Sequence, residues 1–216
     1  MTEWLHATDR QGRFVKTEER VALLAEIREH SRRHGDAPLA VPVVHIILLT
    51  SDGLIRLVQR GDKPENPFMW DKAVGGHVVT DNPALTRQDF DDNARKEIQE
   101  EIGVEQVVIA ADGLEYQRTL QAARYDLNQC AVIRMIDHDP WQGSLSRVKS
   151  GEPWLKRHNV VVYVGRFDGP MRFMDGEALD HRLIRRADLM EDLLANPWNY
   201  ADGARIFMQK YYHLLR

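Results

Sequence analysis

Cysteine is almost missing from this 216-residue chain, Cys130 being the single one, which excludes a disulfide framework and any metal site built on several thiolates. Long apolar runs are missing too: no stretch approaches the roughly 18 uninterrupted apolar residues of a membrane span. The opening Met1-Thr2-Glu3-Trp4 carries no apolar core of an export signal. Basic charge is not in excess, with a formal net charge of -4 and a pI near 6.1, so no positive field is present to hold nucleic acid or an anionic membrane. Internal repeats, low-complexity tracts and an evident linker are absent as well. These absences lead to the expectation of a cytoplasmic globular protein that engages neither nucleic acid nor membrane.

What is present is apolar material, 43% of the chain, enough for one sizeable core. Asp9-Arg10-Gln11-Gly12 is a turn signal between two short segments and suggests a hairpin over residues 4 to 16. Thr17 then caps an expected helix over residues 17 to 34 that ends at Gly35. A second hairpin follows, from Val43 to Thr50 and from Leu54 to Gln59 around Ser51-Asp52-Gly53. A loop with Gly61, Pro64 and Pro67 leads to a short apolar segment and the pair Gly75-Gly76. Phe90, Ala94, Ile98 and Ile102 recur at helical spacing, with acids ahead of them and Gly103 as terminator. Strands are expected at 106–110, 116–121, 129–136 and 158–167, with a short one near 178–184, a long polar loop at 137–157, and helices at 186–195 and 200–215. The result is an α/β chain with a mixed sheet, in which residues 1–39 form an extension (hairpin and helix) and 40–216 the main domain.

Positions three and four apart share a helix face, so Glu97, Glu100 and Glu101 crowd their carboxylates into one region. The bland reading is a solvated acidic face. Such crowding is otherwise relieved by a cation, and hard oxygen donors suit Mg²⁺ or Mn²⁺. The helix also follows a Gly-Gly pair, where a backbone without side chains admits an ion or phosphate closely.

These residues resemble the Nudix family, whose signature runs Gly, five residues, Glu, seven residues, then Arg-Glu-hydrophobic-x-Glu-Glu-x-Gly-hydrophobic. Gly76 matches the first glycine, and Glu97-Ile98-Gln99-Glu100-Glu101-Ile102-Gly103-Val104 matches the second half unbroken. The hairpin from His45 to Arg60, the segment Trp70 to Val78 and the stretch Glu177 to Leu189 carry the likeness outward, over roughly residues 40 to 195. Three departures stand out. Lys96 replaces the family's arginine, whose planar fork orients the adjacent glutamate, whereas lysine is a point charge. The family's first glutamate falls on Asn82 counted forward or on Gln88 counted back, and about six residues are inserted around Asn82 to Asp89.

The resemblance implies a Nudix-type α/β/α sandwich with a mixed sheet, the box forming loop-helix-loop, with the hairpin/helix extension before it and a C-terminal helix. It also implies Mg²⁺ or Mn²⁺ held by Glu97, Glu100, Glu101 and the Gly76 carbonyl. Glu100 and Glu101 would then serve catalysis together with a base from a later loop, for which Asp175 and Glu177 are candidates, Glu177 being the expected one. The implied reaction is metal-assisted hydrolysis of a diphosphate bond in a nucleoside-diphosphate-type or related small substrate. Arg60 and Lys63, or Lys156 and Arg157, are candidate phosphate holders. His77 either faces the site or bonds structurally, Trp154 stacks on a base or packs, and Trp70 is expected in the core. Two alternatives remain open: a catalytically impaired Nudix-like binding or regulatory module, and a relative of isopentenyl-diphosphate isomerase, against which Gly75 stands where that family needs a cysteine. A homodimer through the extension is a further expectation.

Overall fold

The computed structural model describes residues 2–149, 151–173, 176 and 178–215. Strands β1 (Trp4–Thr8) and β2 (Phe14–Glu19) form the expected first hairpin. Helix α1 (Arg20–His34) starts later than Thr17: that threonine sits in β2 opposite His6, its Oγ1 lying 2.8 Å from His6 Nδ1. Glu19 caps the helix instead, its carboxylate accepting from the Ala22 N–H at 2.9 Å. Cross-strand pairing here outweighs a local capping preference.

The main body continues with β3 (Ala40–Leu49), β4 (Ile55–Arg60), β5 (Trp70–Lys72), β6 (Val74–His77), α2 (Arg87–Ile102), β7 (Gln106–Ala110), α3 (Gly113–Gln121), β8 (Cys130–Ser146), β9 (Trp154–Arg166), β10 (Ala178–Ile184), α4 (Arg186–Ala195) and α5 (Asp202–Tyr211). The strands make one mixed ten-stranded sheet, with β10-β4-β3-β9-β8-β7 in that order, β5 added to β4 and β6 to β3. The β3/β9 and β7/β8 pairs are parallel. The hairpin of the extension joins the same sheet where Thr8 meets Ala40.

Two expectations are corrected. Residues 116–121 are helix α3, not a strand: the Asp112 carboxylate accepts from the Glu115 N–H at 2.8 Å, Glu115 accepts from the Ala111 N–H at 2.6 Å, and Tyr116 and Leu120 cover Cys130 and Val132. Alternation of Tyr116, Arg118 and Leu120 imitates a strand, but Tyr116 and Leu120 are also four apart, and the caps decide. The expected polar loop 137–157 is mostly strand, since β8 runs to Ser146 and β9 starts at Trp154, paired as Gln142 with His158, Ser144 with Lys156 and Ser146 with Trp154. Ladder hydrogen bonds hold such strands without an apolar face.

Alternation along β3 and β9 sends side chains to two opposite layers. Val44, Ile46, Leu48, Val161 and Tyr163 meet Phe90, Ala94, Ile98 and Ile102 of α2 on one face. On the other, Val43, Ile47, Leu49, Val160, Val162 and Val164 meet Leu189 of α4 and Phe207 and Met208 of α5, with Trp70 packed against them as expected. Each such fully buried side chain contributes roughly 1.5–3 kcal/mol relative to exposure. The α2 helix is therefore clamped in height and rotation against the sheet.

Its start is set by Asp89, which accepts from Thr80 Oγ1 at 2.6 Å, Asn82 Nδ2 at 2.9 Å and the Thr86 N–H at 2.7 Å. The inserted segment is thus folded into the turn and first helical turn, and α2 begins three residues before Phe90.

Candidate active site

Two successive glycines on β6 open to opposite sides of the sheet. A β-carbon on Gly76 would stand 2.2 Å from the Glu97 carboxyl carbon and 2.4 Å from both its oxygens. One on Gly75 would stand 2.7 Å from Lys72 Cε and 3.2 Å from its ammonium. Register explains this: Gly76 pairs with Val44, whose side chain faces α2, and Gly75 pairs with His45, whose neighbours Val43 and Ile47 face α5. No other residue type would leave room for a carboxylate on one side and an ammonium on the other.

The three glutamates do not share one fate. Glu97 is turned inward, its side chain only 12% exposed, with Asn93 Nδ2 at 3.4 Å and Lys96 Nζ at 3.9 Å. Burial pushes its carboxyl up to about 7, against the pull of Lys96 and with the push of Glu100. Glu101 accepts from the Gly75 N–H at 3.3 Å. Glu100 points outward, 58% exposed, with Lys96 Nζ at 3.4 Å. Among the described residues no three carboxylates, imidazoles or thiols converge as a ready metal cage. The donors still fit a hard cation: Glu97 and Glu101 flank the Gly75–Gly76 backbone, and a buried carboxyl raised towards neutrality is one that a cation would return to its charged form.

The position of the family's first glutamate carries no carboxylate in either counting. The Asn82 amide holds Asp89, and Gln88 donates to Asp92 at 2.7 Å. Lys96 gives two loose contacts where a fork would give two aligned bonds.

Beside Glu101 lies a cleft of about 60 Å³ lined by Arg60, Lys63, Asp71, Lys72, Gly75 and Phe173 among others. Arg60 and Lys63, two of the candidate phosphate holders, both line it. Arg60 Nη1 is 3.8 Å from Asp71 Oδ2, and its Nη2 donates to the Glu65 carbonyl at 3.3 Å. Lys72, with its side chain 10% exposed and its ammonium 3.5 Å from Asp71, was missed. Its only signal in the sequence was its place three residues before Gly75.

The other candidates lie elsewhere. Lys156 is paired with Glu65, and Arg157 Nε donates to Asp36 at 2.8 Å, so neither lines the cleft. His77 and Trp154 line a separate small cavity with Lys156 and His158, beneath Leu24 and Ile27 of α1. Burial holds His77 near 3, with the charges of Lys156 and Arg20 adding to the effect. Trp154, 3% exposed, packs on Leu23, Ile27 and Val41 in a strand and not in an open loop, which corrects its reading as a loop tryptophan available for stacking. Asp175 and Glu177 lie outside the described residues.

No family model and no curated protein matches the chain. Solved structures do. The protein DR0079 from Deinococcus radiodurans is 16% identical over 97% of this chain and 99% of its own, with a TM-score of 0.58. The NUDIX domain of Shewanella oneidensis NrtR, solved with ADP ribose, is 14% identical over 82% and 89%, with a TM-score of 0.48. A MutT protein from Methanosarcina mazei is 13% identical over 81% and 94%, with a TM-score of 0.47. At these identities the likeness concerns fold, and the first of the three carries it along almost the whole chain. With one mixed sheet between α2 and the α4/α5 layer, and the glutamates of α2 reaching the Gly75–Gly76 pair of β6, the fold of this protein is an α/β/α sandwich, shared with DR0079 over almost the whole chain.

Proposed function

We propose that this protein is a divalent-metal-dependent hydrolase of diphosphate bonds in small substrates. The observation that carries the reading is the meeting, at one strand edge, of two carboxylates with the cations of the adjoining cleft. Glu97 and Glu101 flank Gly75–Gly76 while Arg60, Lys63 and Lys72 line the space next to Glu101. A diphosphate needs both a cation site and fixed positive charge, and acids and bases side by side supply that combination.

Glu97, Glu101 and the Gly76 carbonyl would hold Mg²⁺ or Mn²⁺, with Glu100 turning in from its contact with Lys96. Such an ion, when bound, neutralises phosphate charge and makes a water acidic enough to attack phosphorus. Arg60, Lys63 and Lys72 orient the diphosphate and spread its charge over three cations. Asp71 keeps Arg60 and Lys72 directed into the cleft. Glu177 is the proposed base.

The experiment is release of phosphate or of a nucleoside monophosphate from a panel of diphosphates, with Mn²⁺ or Mg²⁺ and with chelator. Metal-dependent release by the parent that Glu101→Gln abolishes supports the reading, and no release by the parent on any substrate sinks it. A binding or regulatory module is the second reading, favoured by Lys96 and by the outward Glu100. An isomerase of the isopentenyl-diphosphate type lacks its thiol: Gly75 takes that position, and Cys130 is buried on β8 beside Tyr116.

A further inference from the structure

Helix α2 buries Phe90, Asn93, Ala94, Glu97, Ile98 and Ile102, and two of these are polar. Those two, Asn93 and Glu97, stand four apart on the same face, one turn above the other. Asn93 is 5% exposed, and its Nδ2 donates to Glu97 Oε1 at 3.4 Å. Asparagine is a poor choice for a buried helical position, because it disfavours the helix and its amide must be satisfied away from water. Among the described residues, Glu97 is the side chain that this amide reaches.

Two contacts constrain the Glu97 carboxylate in different ways. Gly76 fixes its depth: both oxygens lie 2.4 Å from the place of a β-carbon at position 76, so the carboxylate lies across the glycine. That contact does not set the rotation of the carboxylate about its own bond, and the terminal torsion of a glutamate is soft. Asn93 sets it by holding Oε1. Lys96 is badly placed for the same task. It stands one residue before Glu97, about 100° round the helix. Its side chain is 50% exposed, and its ammonium lies nearer Glu100, at 3.4 Å, than Glu97, at 3.9 Å.

We propose that Asn93 is a positioning residue for Glu97, which holds Oε1 and leaves Oε2 to the divalent cation. It does from one turn below, with a neutral donor, what a planar fork at position 96 would do from the flank of the helix. The inference rests on the metal-dependent reading given above. Carboxylates that ligate metals are themselves held by hydrogen bonds from the next layer of side chains, and these fix ligand orientation. An amide suits that place: it donates without carrying charge, so it orients the carboxylate and leaves its negative charge for the metal. A positive charge buried in the same position would compete with the cation. The single bond at 3.4 Å is a long one, so a fork at position 96 adds to it and can stand in for it.

The test is calorimetric titration with Mn²⁺ of the parent, Asn93→Leu, Lys96→Arg and the double variant, beside melting curves of the metal-free proteins. Leucine matches asparagine in size and favours the helix, which offsets the lost bond, so Asn93→Leu should melt close to the parent. Its Mn²⁺ affinity should nevertheless fall about ten- to a hundred-fold. Lys96→Arg should restore most of that loss in the double variant, because the fork orients the same carboxylate from the other side. A role confined to packing predicts the opposite, since Lys96→Arg at an exposed position would restore nothing. The proposal is overturned if Asn93→Leu binds Mn²⁺ as the parent does, or if the double variant binds no better than Asn93→Leu. A parent that binds no Mn²⁺ overturns both this proposal and the hydrolase reading. Mn²⁺ binding that depends on Asn93, in a protein that hydrolyses no diphosphate, sinks the hydrolase reading alone and leaves the positioning role standing.

Discussion

Gly76 and Glu97 are fitted to each other so closely that a methyl group at position 76 would occupy the same space as the Glu97 carboxylate. Gly76→Ala should therefore expel that carboxylate from its place under β6. The expected result is a loss of about 1–3 kcal/mol in stability, the usual cost of overpacking, together with loss of Mn²⁺ binding. Urea unfolding and a metal titration check the two effects separately, and the double variant Gly76→Ala with Glu97→Gln should recover little of either.

The raised Glu97 carboxyl predicts an unusual pH dependence for the metal-free protein. Its folded value is about 7 against 4.5 unfolded, so the folded state binds the extra proton between these limits. Stability is then lost, not gained, as pH rises through this window, by about 3 kcal/mol from 1.36 kcal/mol per unit. Unfolding free energies measured in chelator from pH 4 to 8 should fall over the window for the parent and be flatter for Glu97→Gln. Metal should bind with release of a proton and more tightly towards pH 8; a pH-independent affinity would contradict the assignment.

Lys96 lies 3.4 Å from Glu100 and 3.9 Å from Glu97 without the fork that would align two bonds. Lys96→Arg should raise metal-dependent activity by roughly three- to ten-fold through better orientation of Glu97, and Lys96→Ala should lower it. Steady-state rates at saturating Mn²⁺ decide, and an inert Lys96→Arg would show that the point charge suffices.

Lys72→Met should weaken diphosphate binding about ten- to a hundred-fold, from a charged hydrogen bond of about 1.5–3 kcal/mol. The loss should appear mainly in KM. Asp71 keeps the Lys72 N–H at 2.8 Å and Arg60 at 3.8 Å, so the fold should survive. Unchanged affinity for methylenediphosphonate would remove Lys72 from the binding site.

Much of this protein is written locally. The apolar run of β3, the turn after it and the helical spacing of Phe90, Ala94, Ile98 and Ile102 are periodic signals that neighbouring residues suffice to state. The glutamate triplet and the Gly-Gly pair are short-range patterns of the same kind, and so are the departures at Lys96 and Asn82. Where signals of two periods coincide, as in 116–121, side-chain caps at Asp112 and Glu115 select the helix.

Tertiary structure alone decided the rest, because it depends on register between segments far apart in the chain. Pairing of β6 with β3 sends Gly76 towards Glu97 and Gly75 towards Lys72, and a slip by one residue would exchange the two faces. Pairing of β8 with β9 turns a polar stretch that reads as a loop into strands, and gathers Gln142, Trp154 and His158 on one enclosed face. Helix rotation leaves Glu97 buried and Glu100 exposed, although both stand on the same stretch of box. Sequence alone determined which carboxylates are available; the long-range pairing of strands determined which of them meet the cations.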